Sequence, residues 1–199
     1  MHRIDKGTSG LLVVAKSDRA HHGLAAQFEA HSVERVYTAL CYGAPATSAP
    51  RLRGLRGVSV EAGDTIKITT GLGRHKTDRQ KQAVMFQAGR HAVTRLRVIE
   101  TFFGQMARLE CRLETGRTHQ IRVHAAYAGH GLIGDPVYGG SRKLSARAMP
   151  EDALEAVKTF GRQALHARTL GFLHPVSSET MTFHSDLPAD MNALMRLIT

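Results

Sequence analysis

The stretch His2-Arg3-Ile4-Asp5-Lys6-Gly7-Thr8-Ser9-Gly10, running on into Leu11-Leu12-Val13-Val14-Ala15-Lys16, places one carboxylate in a turn-rich segment just ahead of a short apolar run. Residues 11–15 predict a single strand covered on both faces. Asp5 is then expected on a loop at the mouth of the core, between the cations Arg3 and Lys6. Such loops, carried by a rigid strand, are where catalytic residues concentrate. Taken in isolation, the simpler reading is an aspartate that satisfies turn amides with its own side chain.

The rest of the composition sets the frame around this loop. At 199 residues, one domain that buries roughly 70% of its unfolded surface is expected, with no need for a second. The 27 Lys and Arg against 17 Asp and Glu give a net charge of +10, which points to a polyanionic partner. Nucleic acid comes first and an anionic membrane surface second. The membrane reading weakens because there is no apolar run of spanning length and no basic amphipathic helix. Cys41 and Cys111 lie in strand-like runs, so a reducing compartment is expected rather than a disulfide framework. With no apolar leader at the start, a cytoplasmic location follows. The twelve histidines lack metal-ligand spacing, and no metal is expected.

After the first strand, Ser17 or Asp18 is expected to cap a helix with Ala20, Leu24 and Phe28 on its apolar face, ending near His31. Residues 33–42 read as a strand that puts Arg35, Tyr37, Ala39 and Cys41 on one face. Residues 44–50 read as a loop. From 51 to 114, short strands separated by Gly63-Asp64, Gly71 to Lys81, Gly89 and Gly104 imply an antiparallel meander. Within it Arg74, His75, Lys76, Arg79 and Lys81 crowd one loop, either a solvated turn or a contact for RNA phosphates. The strand at 92–100 alternates, so it is expected to be half buried.

The block Thr115-Gly116-Arg117-Thr118-His119-Gln120-Ile121-Arg122-Val123-His124 turns out of a strand into a helix, with Thr118 as the expected cap. His119 and Arg122 are three apart and can face one site. An arginine fork can hold a carboxylate through two bonds. Gly129, Gly131, Gly134, Asp135-Pro136 and Gly139-Gly140 mark structural turns; no G-K-[ST] completes a phosphate loop. Residues 141–161 read as a polar excursion leading into a short helix at Pro150. Strands at 164–173 and 180–184, joined at Pro175, and a helix at 188–197 complete the chain.

HRIDKGTSG, ERVYTAL with Tyr37, LETGRTHQIRVH with Arg122, and GLIGDPVYGG, followed by RQALHA and FLHPVSSETMTFHSDLP, together resemble the RluA-type pseudouridine synthases. The likeness is strongest to the large-subunit ribosomal RNA synthases of the D type. These enzymes isomerise uridine within RNA. The resemblance implies an α+β fold, a mixed, mostly antiparallel sheet with packed helices, here expected to be truncated at the N-terminus and without the small S4-type RNA-binding domain. It implies Asp5 as nucleophile, Arg122 as its ion-pair partner and Tyr37 stacked on the target base. It also implies extrusion of that base from the RNA stack, with Arg3 filling the vacated place. Arg117, His119, Lys76, Arg79 and Lys81 are the remaining candidate RNA contacts. The reaction is a redox-neutral isomerisation, so no cofactor is expected.

Ile4 stands where the family usually carries leucine, a near-isosteric change. The family's upstream strands would flank residues 11–15, and an unpaired edge there invites association. The chain is therefore expected to be a fragment or to complete its sheet with another chain. Two rivals differ in class. A glycosidase would need a second carboxylate opposite Asp5, and an RNA-binding module without catalysis would keep the charge but not need Asp5. Within the family reading, transfer RNA is the alternative substrate.

Overall fold

The computed structural model describes residues 3–140 and 144–199, so His2 of the opening motif lies outside the described residues. In chain order the elements are β1 (Ser9–Gly10), α1 (Asp18–Glu29), β2 (Glu34–Tyr42), α2 (Pro50–Arg53), β3 (Val58–Glu61), β4 (Thr65–Arg74), β5 (Gln82–Met85), β6 (Arg90–Phe102), β7 (Met106–Leu113), α3 (Gln120–Tyr127), α4 (Glu151–Thr159), β8 (Leu165–Leu173), β9 (Thr180–His184) and α5 (Ala189–Ile198). The strands form one sheet in the order β1-β8-β2-β7-β6-β4-β3, with β5 added to β4 and β9 added to β8. Every ladder is antiparallel except β1 on β8. This is the mixed, mostly antiparallel α+β sheet expected from the sequence.

Residues 11–15 are not the expected buried strand. The Leu11 amide donates to the Ala167 carbonyl at 2.9 Å, and then the chain leaves the sheet, with Leu12 48% and Val14 68% exposed. The reason is competition for one edge. β9 pairs with β8 from Thr169 to Leu173, which leaves β1 only His166 and Ala167. Apolar content alone does not hold a strand when its partner edge is taken. At the contact itself, Gly10 has φ +107, and a Cβ there would stand 2.2 Å from the Ala167 carbonyl oxygen. Only glycine fits.

Adjacent residues on a strand face opposite ways, and the two cores divide accordingly. Ala39 and Ala107 belong to the core under α2 and α3, with Ile66, Leu96, Ile121 and Ala125. Leu40 and Met106, their neighbours, belong to a second core with Ala153, Val157, Met191 and Leu194. So α4 is no excursion. Its buried stripe of Ala153, Leu154 and Val157 packs with α5 across the other face; Ser141, Arg142 and Lys143 of the expected linker lie outside the described residues. The single-turn α2 begins at Pro50, where only a loop is expected; Pro at a first helical position needs no amide. On α1, Ser17 is the cap, and of the three expected apolar contacts Leu24 alone is fully buried. Phe28 instead lies 5.4 Å from the Arg35 guanidinium.

Where α3 crosses the sheet, polar groups bind it to the strands. His124 Nε2 lies 2.9 Å from the Thr70 hydroxyl on β4, and Nδ1 lies 2.8 Å from the Thr94 hydroxyl on β6. Burial pushes the imidazole down to about 4. An ordinary histidine titrates near 6.5, so between pH 6.5 and 4 the unfolded chain holds a proton that the folded chain refuses. Stability therefore falls as pH drops through that window, by about 3 kcal/mol from this group. Urea melts at pH 7 and 4.5 should show that loss. His124→Leu should be less stable at pH 7 and have a shallower pH slope, the remainder coming from His166, whose imidazole burial also holds low.

Candidate active site

α3 starts on a left-handed residue. His119 is the cap, with φ 56 and no capping bond from a side chain, so Thr118 does not serve as the cap. Gln120 does the anchoring. Its Oε1 accepts from the Thr115 hydroxyl at 2.8 Å and the Arg117 amide at 2.9 Å, and its Nε2 donates to the Val93 carbonyl and the Thr94 hydroxyl, both at 2.9 Å. With its side chain fully committed inside, Gln120 fixes where the next turn points.

That turn delivers Arg122, a guanidinium with 4% of its side chain exposed. Its fork grips Asp135, not Asp5: Nε donates to Oδ2 at 2.7 Å and Nη2 to Oδ1 at 2.8 Å. Asp5 receives the remaining nitrogen, with Nη1 3.5 Å from Oδ2. The expectation of a two-bond pairing with Asp5 is thus corrected, because Asp135 lies closer and can be approached edge-on. Asp135 also accepts from the Val137 and Tyr138 amides at 2.9 and 3.0 Å. Burial disfavours its charge, but the Arg122 bond and these amides outweigh that and hold the carboxyl below its ordinary range. Burial likewise opposes the Arg122 charge, and Asp135 followed by Asp5 holds it above the usual range.

The loop carrying Asp5 is set from far along the chain. The Thr8 amide closes a turn on the Asp5 carbonyl at 3.0 Å, and Gly7 adopts φ +83. Gln163 Nε2 donates to the Lys6 carbonyl at 2.7 Å and to the Thr8 hydroxyl at 3.0 Å. Arg162 donates to the Gly7 carbonyl at 2.9 Å while forking onto Asp190 of α5 at 2.6 and 2.8 Å. Among the described residues no amide of the loop bonds the Asp5 carboxylate, against the turn-amide reading, and 22% of its side chain remains exposed.

Tyr37 sits on the α3 side of β2 with Ala39 and Cys41, as expected from the period of two. Burial, aided by the Asp5 charge and opposed by Arg35, pushes its phenol up to about 12. It lies buried in the core beside the site, 6% exposed, and its phenol is a poor base. His119 and Arg122 both converge on Tyr138: the His119 Nδ1 is 2.8 Å from the phenol oxygen, and the Arg122 guanidinium carbon is 5.0 Å from the ring centroid. Arg117 sits at the shoulder, its Nε donating to the His91 carbonyl at 2.8 Å. Arg3, Lys76 and Arg79 are exposed, and Lys81 pairs with Asp78 at 3.4 Å. The last three stand in the connection between β4 and β5. Asp135, Tyr138, Arg162 and Gln163 are the site residues that the sequence reading misses. Their only signal lies in the blocks GLIGDPVYGG and RQALHA, where Asp135 looks like an ordinary turn residue before proline.

A buried pair that loses one partner leaves an uncompensated charge. Asp135→Asn should lower stability at pH 7 by about 3 kcal/mol, and Arg122→Lys, which keeps charge but loses the fork, by about 2 kcal/mol. Asp135 contributes fully above its unfolded pKa near 4, and the contribution is lost as pH falls through the lower folded value. Urea denaturation of both variants measures this. An Asn variant as stable as the parent would show that the Arg122–Asp135 pair is dispensable.

The sequence profile described as RNA pseudouridylate synthase matches residues 1–127. Ribosomal large subunit pseudouridine synthase D of Zymomonas mobilis is 45% identical over all 199 residues and 55% of its own length. The RNA pseudouridine synthase 2, chloroplastic, of Arabidopsis thaliana is 41% identical over 100% of this chain and 46% of its own. The chain thus spans about half the length of these relatives. Among solved structures, human RNA pseudouridylate synthase domain containing 1 superposes with a TM-score of 0.68 at 24% identity, over 97% of this chain and 71% of that one, which establishes the fold. On the profile match and these identities, with Asp5, Tyr37 and Arg122 in the matching blocks, the chain belongs to the RNA pseudouridylate synthase family.

Proposed function

We propose that this chain isomerises uridine to pseudouridine in RNA, with large-subunit ribosomal RNA as the substrate, and that it does so in the cytoplasm without a cofactor. The observation that carries the reading is the division of labour at Arg122. Asp135 takes the fork, and the remaining nitrogen, Nη1, forms an ion pair with Asp5 at 3.5 Å. Asp5 is oriented by a cation yet keeps lone pairs and solvent exposure, which a nucleophile needs. In this reading Asp5 attacks the target nucleotide and the bond from the ring nitrogen to the ribose breaks; uracil turns, a ring carbon bonds to the ribose, and the bond made by Asp5 is released, while that carbon loses its hydrogen as a proton and the freed ring nitrogen gains one. Tyr37 stacks on the extruded base, and Arg3 fills its place in the RNA. The ribosomal substrate is supported by relatives whose names specify the ribosomal large subunit, at 41 to 45% identity. Cys41 and Cys111 are buried and not joined by a disulfide, which suits a reducing compartment, and no described helix is long and apolar enough to cross a membrane.

Asp5→Asn is expected to abolish isomerisation while RNA affinity stays within about threefold, since a neutral amide keeps the shape and loses the nucleophile. Release of tritium from uridine labelled at the ring carbon that joins the ribose measures turnover. Turnover by the Asn variant would remove Asp5 from this role.

Affinity should also fall steeply with salt, with a log-log slope of about 0.7 to 0.9 per phosphate neutralised. Replacing Lys76, Arg79 and Lys81 together by Ala should flatten that slope without changing which uridine is modified. An unchanged slope would make the hairpin tip a solvated turn.

A further inference from the structure

Tyr138 and His119 can be followed hydrogen by hydrogen. The Gln82 amide, at the root of the β4–β5 hairpin, donates to the Tyr138 phenol oxygen at 2.7 Å. The phenol's own hydrogen then needs an acceptor, and among the described residues the one within reach is His119 Nδ1, at 2.8 Å. A nitrogen that accepts there carries no hydrogen, so the neutral ring holds its hydrogen on Nε2. The ring stays neutral because burial lowers its pKa, against the pull of the Asp5 charge. The two rings meet edge to face at 5.5 Å, and the Arg122 guanidinium lies over Tyr138. Nε2 has no hydrogen-bond partner among the described residues. In that tautomer Nε2–H is a donor without a partner among the described residues, in the cluster that holds Asp5.

We propose that His119 reads the target base: Tyr138 locks it as the Nε2–H tautomer, and that N–H donates to a carbonyl oxygen of the pyrimidine held at Asp5. The proposal rests on the isomerase reading. A carbonyl is the fitting acceptor because the Asp5 carboxylate stands close enough for its charge to act on His119 and would repel a phosphate, whereas Arg117 and the hairpin cations are suited to phosphates. Since the Gln82 amide shares the phenol, the orientation of this donor is tied to the root of the cationic hairpin.

The tautomer is read directly by long-range proton–nitrogen NMR on imidazole-labelled protein, the His119 signals being those lost in His119→Gln. The expected result is a bare Nδ1 and a protonated Nε2 at pH 7, with both tautomers populated in Tyr138→Phe. An Nδ1–H or doubly protonated ring in the parent would overturn the lock. In turnover, His119→Leu should lose about 10- to 100-fold in kcat/KM, the scale of one lost donor in a closed site. His119→Gln, whose amide nitrogen can stand near the Nε2 position, should recover to within about tenfold of the parent. Binding supplies a readout independent of turnover. The preference for uridine-bearing RNA over the same RNA with an abasic site should shrink about fivefold in His119→Leu, a fraction of one hydrogen bond. If the parent keeps that preference but does not isomerise uridine, the isomerase reading falls and the donor assignment stands. If His119→Leu matches the parent in both turnover and preference, the base-reading role is wrong.

Discussion

One buried guanidinium sets the terms for the whole site. An arginine offers five N–H groups in a rigid plane and cannot shed its charge, so burying Arg122 obliges the fold to surround it with acceptors. Asp135 answers with both oxygens, and the backbone amides of Val137 and Tyr138 hold Asp135 in turn. What is left over, a single nitrogen, defines where Asp5 stands. The position of the exposed acid is thus a remainder, decided by the pairing of a hidden one. Gln120 and His124, one on each side of Arg122 in α3, have their side chains committed to β6 and β4, so the helix cannot turn to offer a different nitrogen.

Charge is distributed with the same economy across the sheet. On the open face, Glu61 and Glu114 meet Arg95, Glu110 meets Arg97 and Arg112, and Glu100 meets Arg108. Exposed pairs of this kind contribute little to stability, about 0 to 1 kcal/mol each. Their effect is on the field: acids and bases on that face cancel locally. The excess positive charge of the chain is left to loops such as the β4–β5 hairpin tip, where Asp78 is the lone acid among five basic side chains.

Much of this was legible in the chain before any coordinates. The antiparallel meander, the strand that carries Tyr37, the cap at Ser17 and the closing strands follow from period and turn chemistry. Asp5, Tyr37, His119 and Arg122 were legible because their motifs name them. Four features were not, each for a reason that exists only in three dimensions. Residues 11–15 have the composition of a strand, but β9 occupies the edge they would need. The Arg122 fork had two carboxylates to choose from, and sequence spacing does not say which lies edge-on. The helix α4 has a polar approach that hides its buried stripe, visible only once α5 is opposite it. Tyr138 escaped because its importance lies in who shares its hydroxyl.

The clamp on the Asp5 loop has a kinetic meaning as well. Arg162 and Gln163 lie 155 and 157 residues along the chain from the carbonyls they hold at Gly7 and Lys6, and Arg162 is itself braced by the last helix. Contacts this distant in sequence form only after the intervening chain has folded, because the entropy of closing so large a loop comes first. The Asp5 loop is therefore expected among the later pieces to order as the chain folds, and an opening that frees α5 removes the brace on Arg162. Fraying at the carboxyl end is felt at the amino end, so the site's lifetime is coupled to that of the last helix.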